Sequence, residues 1–366
     1  MFNRRSLLAA TGATLLTRLG LTRLGRAAPA PRVAGERLTR IAFGCCDHPE
    51  MAQDIWPAIA ATDPDLFLFL GDTVYADDAV TAKAGIIPAL AEMYQRLDAA
   101  PEFRAFRAQV PIEATWDDHD YGVHDGGADF PEKEAARALF LDFFQAPADD
   151  PRRTRPDGVY RAIELGPPER RVQILLLDLR YNRSPLMRHA EPERTAKSGF
   201  GPYLPNLDPA ATMLGAGQWR WLEAQLRRPA RVRLIGSSVP YAAGHRGYEA
   251  WTNFPLERQR LADLVARTGA GGVIFLSGEI HYGEISVLTR NTPYPLYDVT
   301  SSGLTHYWPL PGPNANRLPT GTVTQRNFGM IHILWEAPEP QVVMEVRTAD
   351  GGLGIQHTVA LDSLHT

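Results

Sequence analysis

Residues 66–78 read L-F-L-F-L-G-D-T-V-Y-A-D-D, and the fold can be inferred outward from this stretch. Its first five residues, Leu66–Leu70, are all apolar, which is typical of a strand that is buried on both faces. Gly71 then allows a sharp turn, and the carboxylate of Asp72 follows at once. Ligands of α/β proteins bind just beyond the carboxyl ends of the strands. Asp72 is therefore a candidate functional residue; the alternative is a turn residue that caps the next helix.

Five further apolar runs also end in small or polar residues. They end in Gly44-Cys45-Cys46-Asp47-His48, Trp116-Asp117-Asp118-His119-Asp120, Asp178-Leu179-Arg180-Tyr181, Gly236-Ser237-Ser238 and Ser277-Gly278-Glu279-Ile280-His281. Polar groups at several strand ends are the pattern expected when a site is assembled at one edge of a sheet. We therefore expect these segments to meet in one site.

The order of strand-like and helix-like segments predicts an α/β fold. Helical spacing or helix-start signals mark residues 86–97, 131–144, 218–226 and 257–267, which lie between the apolar runs. The last third has short strand-like runs at 285–288, 296–300, 331–335 and 342–346 and no strong helix. That part is expected to form a second, more antiparallel sheet. Two sheets packed face to face, with helices outside them, fit the length of 366 residues.

Composition narrows the class of protein. A hydrophobic content of 44% and a charged content of 22% are those of a globular domain. The net charge of −4 and the absence of a long basic run give no reason to expect nucleic acid or an anionic membrane as an obligate partner. Only two cysteines are present, Cys45 and Cys46, and their adjacency disfavours a stabilising disulfide. A metal or redox role is one interpretation of the pair, and buried structural thiols are the other.

The first thirty residues resemble an export signal rather than part of the fold. Arg4-Arg5 precede a weakly apolar run at 6–17, and Ala28-Pro29-Ala30 resembles a cleavage site. We predict a twin-arginine signal over 1–30, one folded domain over 31–366, passage through the twin-arginine export machinery, and a periplasmic or secreted product. The alternative is an unstructured basic leader. No other segment is long and apolar enough to predict a transmembrane helix.

The strand ends together offer a mixed set of metal ligands. Cys46 offers a thiolate, Asp72 a carboxylate that can bridge two ions, and Tyr75 a phenolate. Glu279 and His281 lie two positions apart, and alternate residues of a strand share a face. Thiolate and phenolate favour iron, whereas carboxylates and water suit calcium, magnesium or manganese.

Such a set suits hydrolysis by a metal-activated water. Two metal ions can hold the attacking and leaving oxygens of an in-line displacement. Asp118 would bind a metal, and His119 could donate a proton to the leaving oxygen. Arg180, at another strand end, could hold phosphoryl oxygens bidentately.

The same motifs resemble those of the PhoD-like (alkaline phosphatase D-like) phosphatases, a branch of the calcineurin-like metallophosphatases. The resemblance rests on F-G-C-C at 43–46, G-D-T-V-Y at 71–75, W-D-D-H-D at 116–120, L-D-L-R-Y at 177–181 and S-G-E-I-H at 277–281, with further likeness at 218–222, 248–260 and 300–303. It implies a four-layer α/β/β/α sandwich of two mixed sheets flanked by helices. It also implies hydrolysis of small phosphate mono- or diesters with two or more metal ions, iron and calcium or alternatively manganese, magnesium or zinc.

Carried over by position, the resemblance assigns roles to individual residues. Cys46 and Tyr75 would bind iron, Asp72 would bridge, and Asp118 would bind the second metal. His119 would assist the leaving group, and Glu279 with His281 would complete the cluster.

This chain departs from the family pattern at three positions. Glu279 stands where the family usually has Asp, His124 where it often has Asn, and Pro240 where it often has Gln. His124 is retained as a candidate metal ligand. The departures leave a second hypothesis open, a catalytically weakened protein that binds phosphoesters or metal on the same fold. A thiol enzyme that uses Cys45 or Cys46 is a third hypothesis, and metal ligation explains the thiol better.

Aromatic residues outside the motifs are candidates for the lining of a substrate pocket. They are Tyr203, Tyr241, Trp251 and Trp308. For each of them the alternative is ordinary packing in the core or in a loop.

Overall fold

A six-stranded sheet contains the apolar run Leu66–Leu70. In this computed structural model, which describes residues 38–77, 85–191, 199–244 and 246–365, its strands have the order β15-β14-β13-β1-β2-β3. They are β1 (Arg40–Gly44), β2 (Leu66–Leu70), β3 (Ile112–Thr115), β13 (Asn327–Leu334), β14 (Gln341–Thr348) and β15 (Leu353–Ala360). β1, β2 and β3 are parallel, and β13 to β15 continue the sheet antiparallel. The expected export signal over 1–30 and Asp78 lie outside the described residues.

A seven-stranded sheet has the order β12-β10-β11-β9-β8-β5-β4. Its strands are β4 (Arg161–Leu165), β5 (Val172–Leu176), β8 (Val232–Ser237), β9 (Val273–Ser277), β10 (Gly283–Leu288), β11 (Leu296–Ser301) and β12 (Arg317–Val323). β5, β8, β9 and β11 are parallel, and β4, β10 and β12 pair antiparallel at the two ends. The short strands β6 (Met187–Arg188) and β7 (Tyr203–Leu204) pair separately.

Helices flank both sheets. The α-helices are α1 (Trp56–Ala61), α2 (Ile86–Ala99), α3 (Pro101–Arg107), α4 (Asp118–Tyr121), α5 (Lys133–Phe143), α6 (Gly215–Leu226) and α7 (Pro255–Thr268); short 3-10 turns lie at Pro151–Arg153, Pro168–Arg170, Trp251–Asn253 and Leu361–Leu364. Local sequence explains the bounds of α7, because Pro255 occupies its first turn and Gly269 ends it with a left-handed φ of 63°. None of the helices in the described part of the chain is long and apolar enough to cross a membrane.

The alternation of side chains along β2 explains the layers. Leu66, Leu68 and Leu70 pack into the core shared with the seven-stranded sheet. Phe67 and Phe69 point the other way, into a second core formed with the helices. Trp56 of α1 lies there, with ring centroids 5.6 Å from Phe67 and 5.7 Å from Phe69. Burial of each large apolar side chain contributes on the order of 2 kcal/mol, so both faces of β2 hold the layers together.

The prediction of two mixed sheets with helices outside them is confirmed. The prediction that the last third forms its own sheet is wrong. Strands β9 to β12 complete the seven-stranded sheet, whereas β13 to β15 join the six-stranded one through β1. The register of β1 with β13 joins Arg40 to His332, and local patterns carry no information on pairing over such a separation.

Candidate metal centre

The predicted site residues follow strands of both sheets. Cys46, Asp72 and Asp118 follow β1, β2 and β3 of the six-stranded sheet, and Glu279 and His281 follow β9 of the seven-stranded sheet. The sequence predicts a site at the edge of a single sheet. The two sheets instead contribute to a shared edge, and most of the expected ligands come together there.

Four of these residues have a left-handed backbone. The φ angles are 60° at Cys46, 48° at Asp72, 73° at Glu279 and 60° at His281. Residues other than glycine rarely adopt this region, and such strain is found where the surrounding structure holds a functional side chain in place. These residues are half of the eight non-glycine residues with a positive φ in the described part of the chain.

Gly71 allows two of these strand ends to approach each other. Its φ is 99°, and a Cβ atom there would lie 2.3 Å from Cβ of Asp117. No side chain fits in that space, so only glycine lets the turn after β2 pack on the turn after β3. Asp72 and Asp117 are side by side as a result.

Asp72 lies between two groups of candidate ligands. Its Oδ2 is 3.5 Å from Sγ of Cys46 and accepts a hydrogen bond from the Tyr75 hydroxyl at 3.2 Å. Its Oδ1 accepts from the backbone N–H of His119 at 3.4 Å, on the side of Asp118. A carboxylate with one oxygen toward each group has the geometry needed for a bridge.

Four carboxylates converge beside it. One oxygen from each of Asp72, Asp117, Asp118 and Glu279 lies within 4.8 Å of the others. Burial, followed by the charge of Asp118, raises the pKa of Asp72 and of Glu279 well above their usual range. Burial also raises the pKa of Asp117 to about 8. So much negative charge in one place fits a cation, which would relieve the repulsion.

Asp118 stays ionised within this cluster. Burial opposes its charge, but the charges of His119 and Arg180 hold the pKa of Asp118 well below its usual range. Its Oδ2 accepts a hydrogen bond from the backbone N–H of Asp125 at 2.7 Å, and Nδ1 of His124 is 3.2 Å away from the same oxygen. The His124 side chain is 66% exposed. His124 therefore lies at the outer rim of the cluster, within reach of a metal that Asp118 binds.

The thiol side of the site surrounds Cys46. Its Sγ is 3.2 Å from Sγ of Cys45 and 3.1 Å from Oγ of Ser302, and both cysteines are free thiols. Burial opposes ionisation, but the hydrogen bond with Cys45 and the nearby His281 hold the pKa of Cys46 well below its usual range. A thiolate is the form that binds metal, so Cys46 fits a ligand role.

The ring of His281 is oriented by backbone contacts. The backbone N–H of His281 donates to Oγ of Ser302 at 2.7 Å, and Nδ1 of the ring lies 3.1 Å from the carbonyl oxygen of His306. A bond between Nδ1 and a carbonyl fixes the ring and leaves Nε2 for another partner, as metal-binding imidazoles commonly require.

His119 has its own orienting carboxylate. Its Nδ1 is 2.5 Å from Oδ1 of Asp77. Burial opposes the charged form, but Asp118 and Asp77 outweigh it and raise the pKa of His119 to about 9. The ring lies 4.2 Å from that of Tyr75. The charged form of this imidazole is the one that can donate a proton.

Arg180 does not have the surroundings expected of a phosphoryl clamp. Its side chain is fully buried, and it contacts Asp117 at 2.5 Å and both oxygens of Glu249 at 2.8 and 2.6 Å. Arg183 also contacts Glu249. The guanidinium is thus ion-paired with the buried carboxylates of Asp117 and Glu249. Its position supports Asp117 and Asp118 rather than a substrate.

Several contributing residues were missed from the sequence. Asp77, Asp117, Glu249 and Ser302 all contact predicted site residues. Asp117 carried a signal, since it lies inside the W-D-D-H-D motif at a strand end. Asp77, Glu249 and Ser302 also lie inside quoted stretches, 66–78, 248–260 and 300–303, but in loops, where no periodicity indicates the direction of a side chain.

Comparisons with known proteins bear on the family and on the fold. The sequence model of the family described as "PhoD-like phosphatase" matches residues 41–308. The solved structure titled "Structure of PhoD" has a TM-score of 0.65 at 17% identity, over 92% of this chain and 72% of that chain. The structure titled "GAP50 the anchor in the inner membrane complex of Plasmodium" has a TM-score of 0.51 at 11% identity, over 89% of each chain. No curated protein matches the sequence.

The two structures share the fold at low identity, so they support the sandwich architecture and nothing finer. The family match is more specific. It covers most of the chain and includes each motif from which the resemblance was inferred. The chain belongs to the PhoD-like phosphatase family.

Proposed function

We propose that this protein is an exported, metal-dependent phosphoesterase that hydrolyses small phosphate mono- or diesters. The observation that carries the proposal is the cluster of Asp72, Asp117, Asp118 and Glu279, with ligand oxygens within 4.8 Å of one another. Such a group of carboxylates is costly without a cation, and it lies among the motifs of a phosphatase family. Support for export comes from the sequence of residues 1–30, which resembles a signal for the twin-arginine machinery.

Two sets of residues would hold the metal ions. Cys46, Tyr75 and His281 form the thiolate, phenolate and imidazole set, which favours iron. Asp118, Glu279 and the rim residue His124 form the harder set, which suits calcium, or alternatively manganese, magnesium or zinc. Asp72 lies between the sets and would bridge them.

When bound, the ions would supply Lewis-acid polarisation of the phosphoryl oxygens and a water of lowered pKa. Proton donation and the orientation of the ligands would come from side chains of the protein. His119, held by Asp77 through Nδ1, presents its other nitrogen to protonate the leaving oxygen. Arg180 orients Asp117 and keeps Asp118 ionised from behind the site.

Metal content and activity of natively exported protein test this proposal. We expect near-stoichiometric metal by elemental analysis, and hydrolysis of p-nitrophenyl phosphate or bis-p-nitrophenyl phosphate above pH 7. The Tyr75→Phe variant is expected to lose iron and most activity, because its hydroxyl contacts Asp72. Tyr94→Phe is the matched control, since Tyr94 is equally buried and its hydroxyl has no partner in the described chain. Absence of both metal and turnover in the wild type would contradict the proposal.

A second candidate function is phosphoester or metal binding without efficient catalysis. Glu279 favours it, because its side chain is one methylene longer than the Asp usual in the family, and small shifts of a reacting group can be costly. The fold alone does not decide, since it also occurs in a protein described as an anchor.

The Glu279→Asp variant separates these functions. If the longer side chain limits catalysis, we expect kcat to rise several-fold while metal content stays unchanged. If Glu279 is already matched to this site, the shorter side chain withdraws an oxygen from the cluster, and kcat and metal affinity fall together. The measurements are steady-state kinetics with bis-p-nitrophenyl phosphate and elemental analysis of the same sample. Only the first result supports a catalytically weakened wild type.

A further inference from the structure

Three large apolar side chains are exposed within four positions of one loop beside the candidate metal centre. Tyr307 is 41% exposed, Trp308 39% and Leu310 78%. Trp308 was one of four aromatic candidates for the lining of a substrate pocket. The other three are buried, and they are Tyr203, Tyr241 and Trp251. Large apolar side chains scattered singly over a surface need no explanation, but a group of them in one place marks a surface that binds something.

Backbone hydrogen bonds hold this loop against the metal centre. The N–H groups of Thr305 and His306 donate to the carbonyl of Cys46 at 3.2 and 3.1 Å. The N–H of Trp308 donates to the carbonyl of His281 at 2.7 Å. Candidate metal ligands therefore fix the position of the exposed side chains. A surface that is already ordered loses little conformational entropy when a ligand packs on it.

Trp308 joins the apolar surface to the metal centre. Its ring stacks on that of His281, with a centroid distance of 5.1 Å and an interplanar angle of 18°. Tyr248 meets the indole in a T-shaped arrangement with a centroid distance of 5.9 Å. Both contacts together still leave Trp308 39% exposed. A group that packs on the uncovered part of Trp308 lies one ring away from a candidate metal ligand, which favours part of a bound substrate as the occupant over a second copy of this chain or a lipid surface.

The rings around the thiol side of the site indicate which part of the substrate this is. His119, the proposed proton donor to the leaving oxygen, packs on Tyr75 with a centroid distance of 4.2 Å. Trp308 packs on His281 instead. The ring of His306 lies between these two ligands, 5.4 Å from Tyr75 and 4.4 Å from His281. In an in-line displacement the leaving group faces the acid that protonates it, so Trp308 lies beside the group that stays on phosphorus.

We propose that Trp308, with Tyr307 and Leu310, forms an apolar subsite for the organic group that stays on phosphorus while the other ester bond is cleaved. The preferred substrates are then phosphodiesters in which this retained group is aromatic or otherwise apolar. Burial of the exposed apolar surface against such a group supplies affinity, and the flat indole favours a ring. The inference rests on the proposed function for the identity of the phosphoryl site, and it assigns the specificity of that site to residues outside the metal ligands.

Two diesters with the same leaving group test the subsite. Phenyl p-nitrophenyl phosphate and methyl p-nitrophenyl phosphate release the same nitrophenolate and carry the same single charge, so they differ in the retained group. For Trp308→Ala we expect the ratio of kcat/KM for the phenyl diester over the methyl diester to fall by about fivefold or more, because the contact with the ring is lost. Comparison of variant and wild type cancels the different reactivities of the two diesters. Trp308→Phe retains a ring and should retain most of the ratio.

Leu310→Asn separates the subsite from the support that Trp308 gives to His281. Leu310 is 78% exposed, so the substitution leaves the stacking on His281 in place, and we expect it to lower the same ratio by about twofold. Leu353→Asn is the matched control, because Leu353 is 53% exposed on the edge strand β15, which two strands separate from β1. It should leave the ratio as in the wild type. The proposal requires a lower ratio in both Trp308→Ala and Leu310→Asn, and a wild-type ratio in either one overturns it.

Binding measurements keep this test independent of turnover. Methylphenylphosphinate and dimethylphosphinate are anions of equal charge without an ester bond, so neither is hydrolysed. In calorimetry with natively exported protein, we expect the wild type to bind the phenyl compound more tightly by about fivefold or more. Trp308→Ala and Leu310→Asn should both reduce that preference.

The two measurements distinguish failure of the subsite from failure of the proposed function. If the wild type hydrolyses neither diester but prefers the phenyl phosphinate, the proposed function fails and the subsite stands. Equal affinity of the wild type for both phosphinates overturns the subsite whatever the activity. A dimer in sedimentation, or binding to phosphatidylcholine vesicles, that Leu310→Asn abolishes would then identify a second copy or a lipid surface as the occupant.

Discussion

In the Asp72→Asn variant, metal binding and hydrolysis are expected to be lost, whereas the metal-free protein is expected to be more stable at pH 8 than metal-free wild type. Asp72 would contact both metal sets, so its loss should lower activity by more than the roughly 100-fold that removal of a residue behind a metal ligand costs. The gain in stability has a separate cause. Burial and the charge of Asp118 raise the pKa of Asp72, so its ionised form destabilises the metal-free fold.

The pH dependence of metal-free wild type follows from the same groups. A carboxyl whose pKa is raised by folding destabilises the folded state increasingly as pH rises from its unfolded pKa to its folded pKa. Asp72, Glu279 and Asp117, the last with a pKa of about 8, act in this direction. His119 and His124, with pKa values of about 9, contribute stability at low pH that is lost as pH rises through that value. Cys46, whose pKa is lowered, opposes them.

The effects of the carboxyl and histidine groups together outweigh that of Cys46. We therefore expect wild type treated with a chelator to melt at a higher temperature at pH 6.5 than at pH 8.5, and added metal to remove this difference. Asp72→Asn should reduce the pH dependence and should gain nothing from added metal. Thermal melts of both proteins, with and without metal, measure these effects. Asn is close to Asp in size, so a metal-free variant less stable than metal-free wild type at pH 8 would contradict a repulsive role for this carboxylate.

Much of this site is predictable from the sequence because the end of a strand is marked locally, by an apolar run followed by small or polar residues. The apolar run Leu66–Leu70 predicts a buried strand, and Asp72 two residues later lies where α/β proteins bind ligands. The same logic indicated Cys46, Asp118 and Glu279. Each prediction needs only the end of a strand, which composition marks within a few residues.

No local pattern of residues indicates which strands pair or which face of a strand packs against which layer. All five residues of β2 are apolar, so no alternation tells which ones face the second sheet and which face the helices. The same limit explains the incorrect assignment of the last third. β13 and β11 look alike as short strand-like runs, although one pairs with β1 and the other with β9.

The predicted role of Arg180 shows the limit for individual side chains. It follows a strand end, as the sequence indicates, and it contacts Asp117. Its partner Glu249 lies in a loop sixty-nine positions away, and no pattern links the two. Whether an arginine binds substrate or a buried carboxylate depends on that partner, which only the tertiary structure identifies.

The Arg180→Gln variant is therefore expected to lose stability rather than substrate affinity alone. Removal of one member of a buried charge network leaves the others uncompensated, at a cost of about 3–5 kcal/mol. Here Asp117 and Glu249 would face each other in the interior without the guanidinium between them. For a domain of this size that cost lowers the melting temperature by on the order of 10 °C.

Two further variants identify the cause of the loss. Arg180→Gln combined with Glu249→Gln should recover part of the stability, because it removes a carboxylate that the arginine had neutralised. Arg152→Gln is the matched control; Arg152 is equally buried but contacts the single carboxylate of Asp150, away from the metal centre, and its loss should leave metal affinity unchanged. Thermal melting, metal titration and KM for bis-p-nitrophenyl phosphate are measured on all three variants. If Arg180 instead binds phosphate directly, Arg180→Gln will raise KM at unchanged melting temperature, and the second substitution at Glu249 will restore nothing.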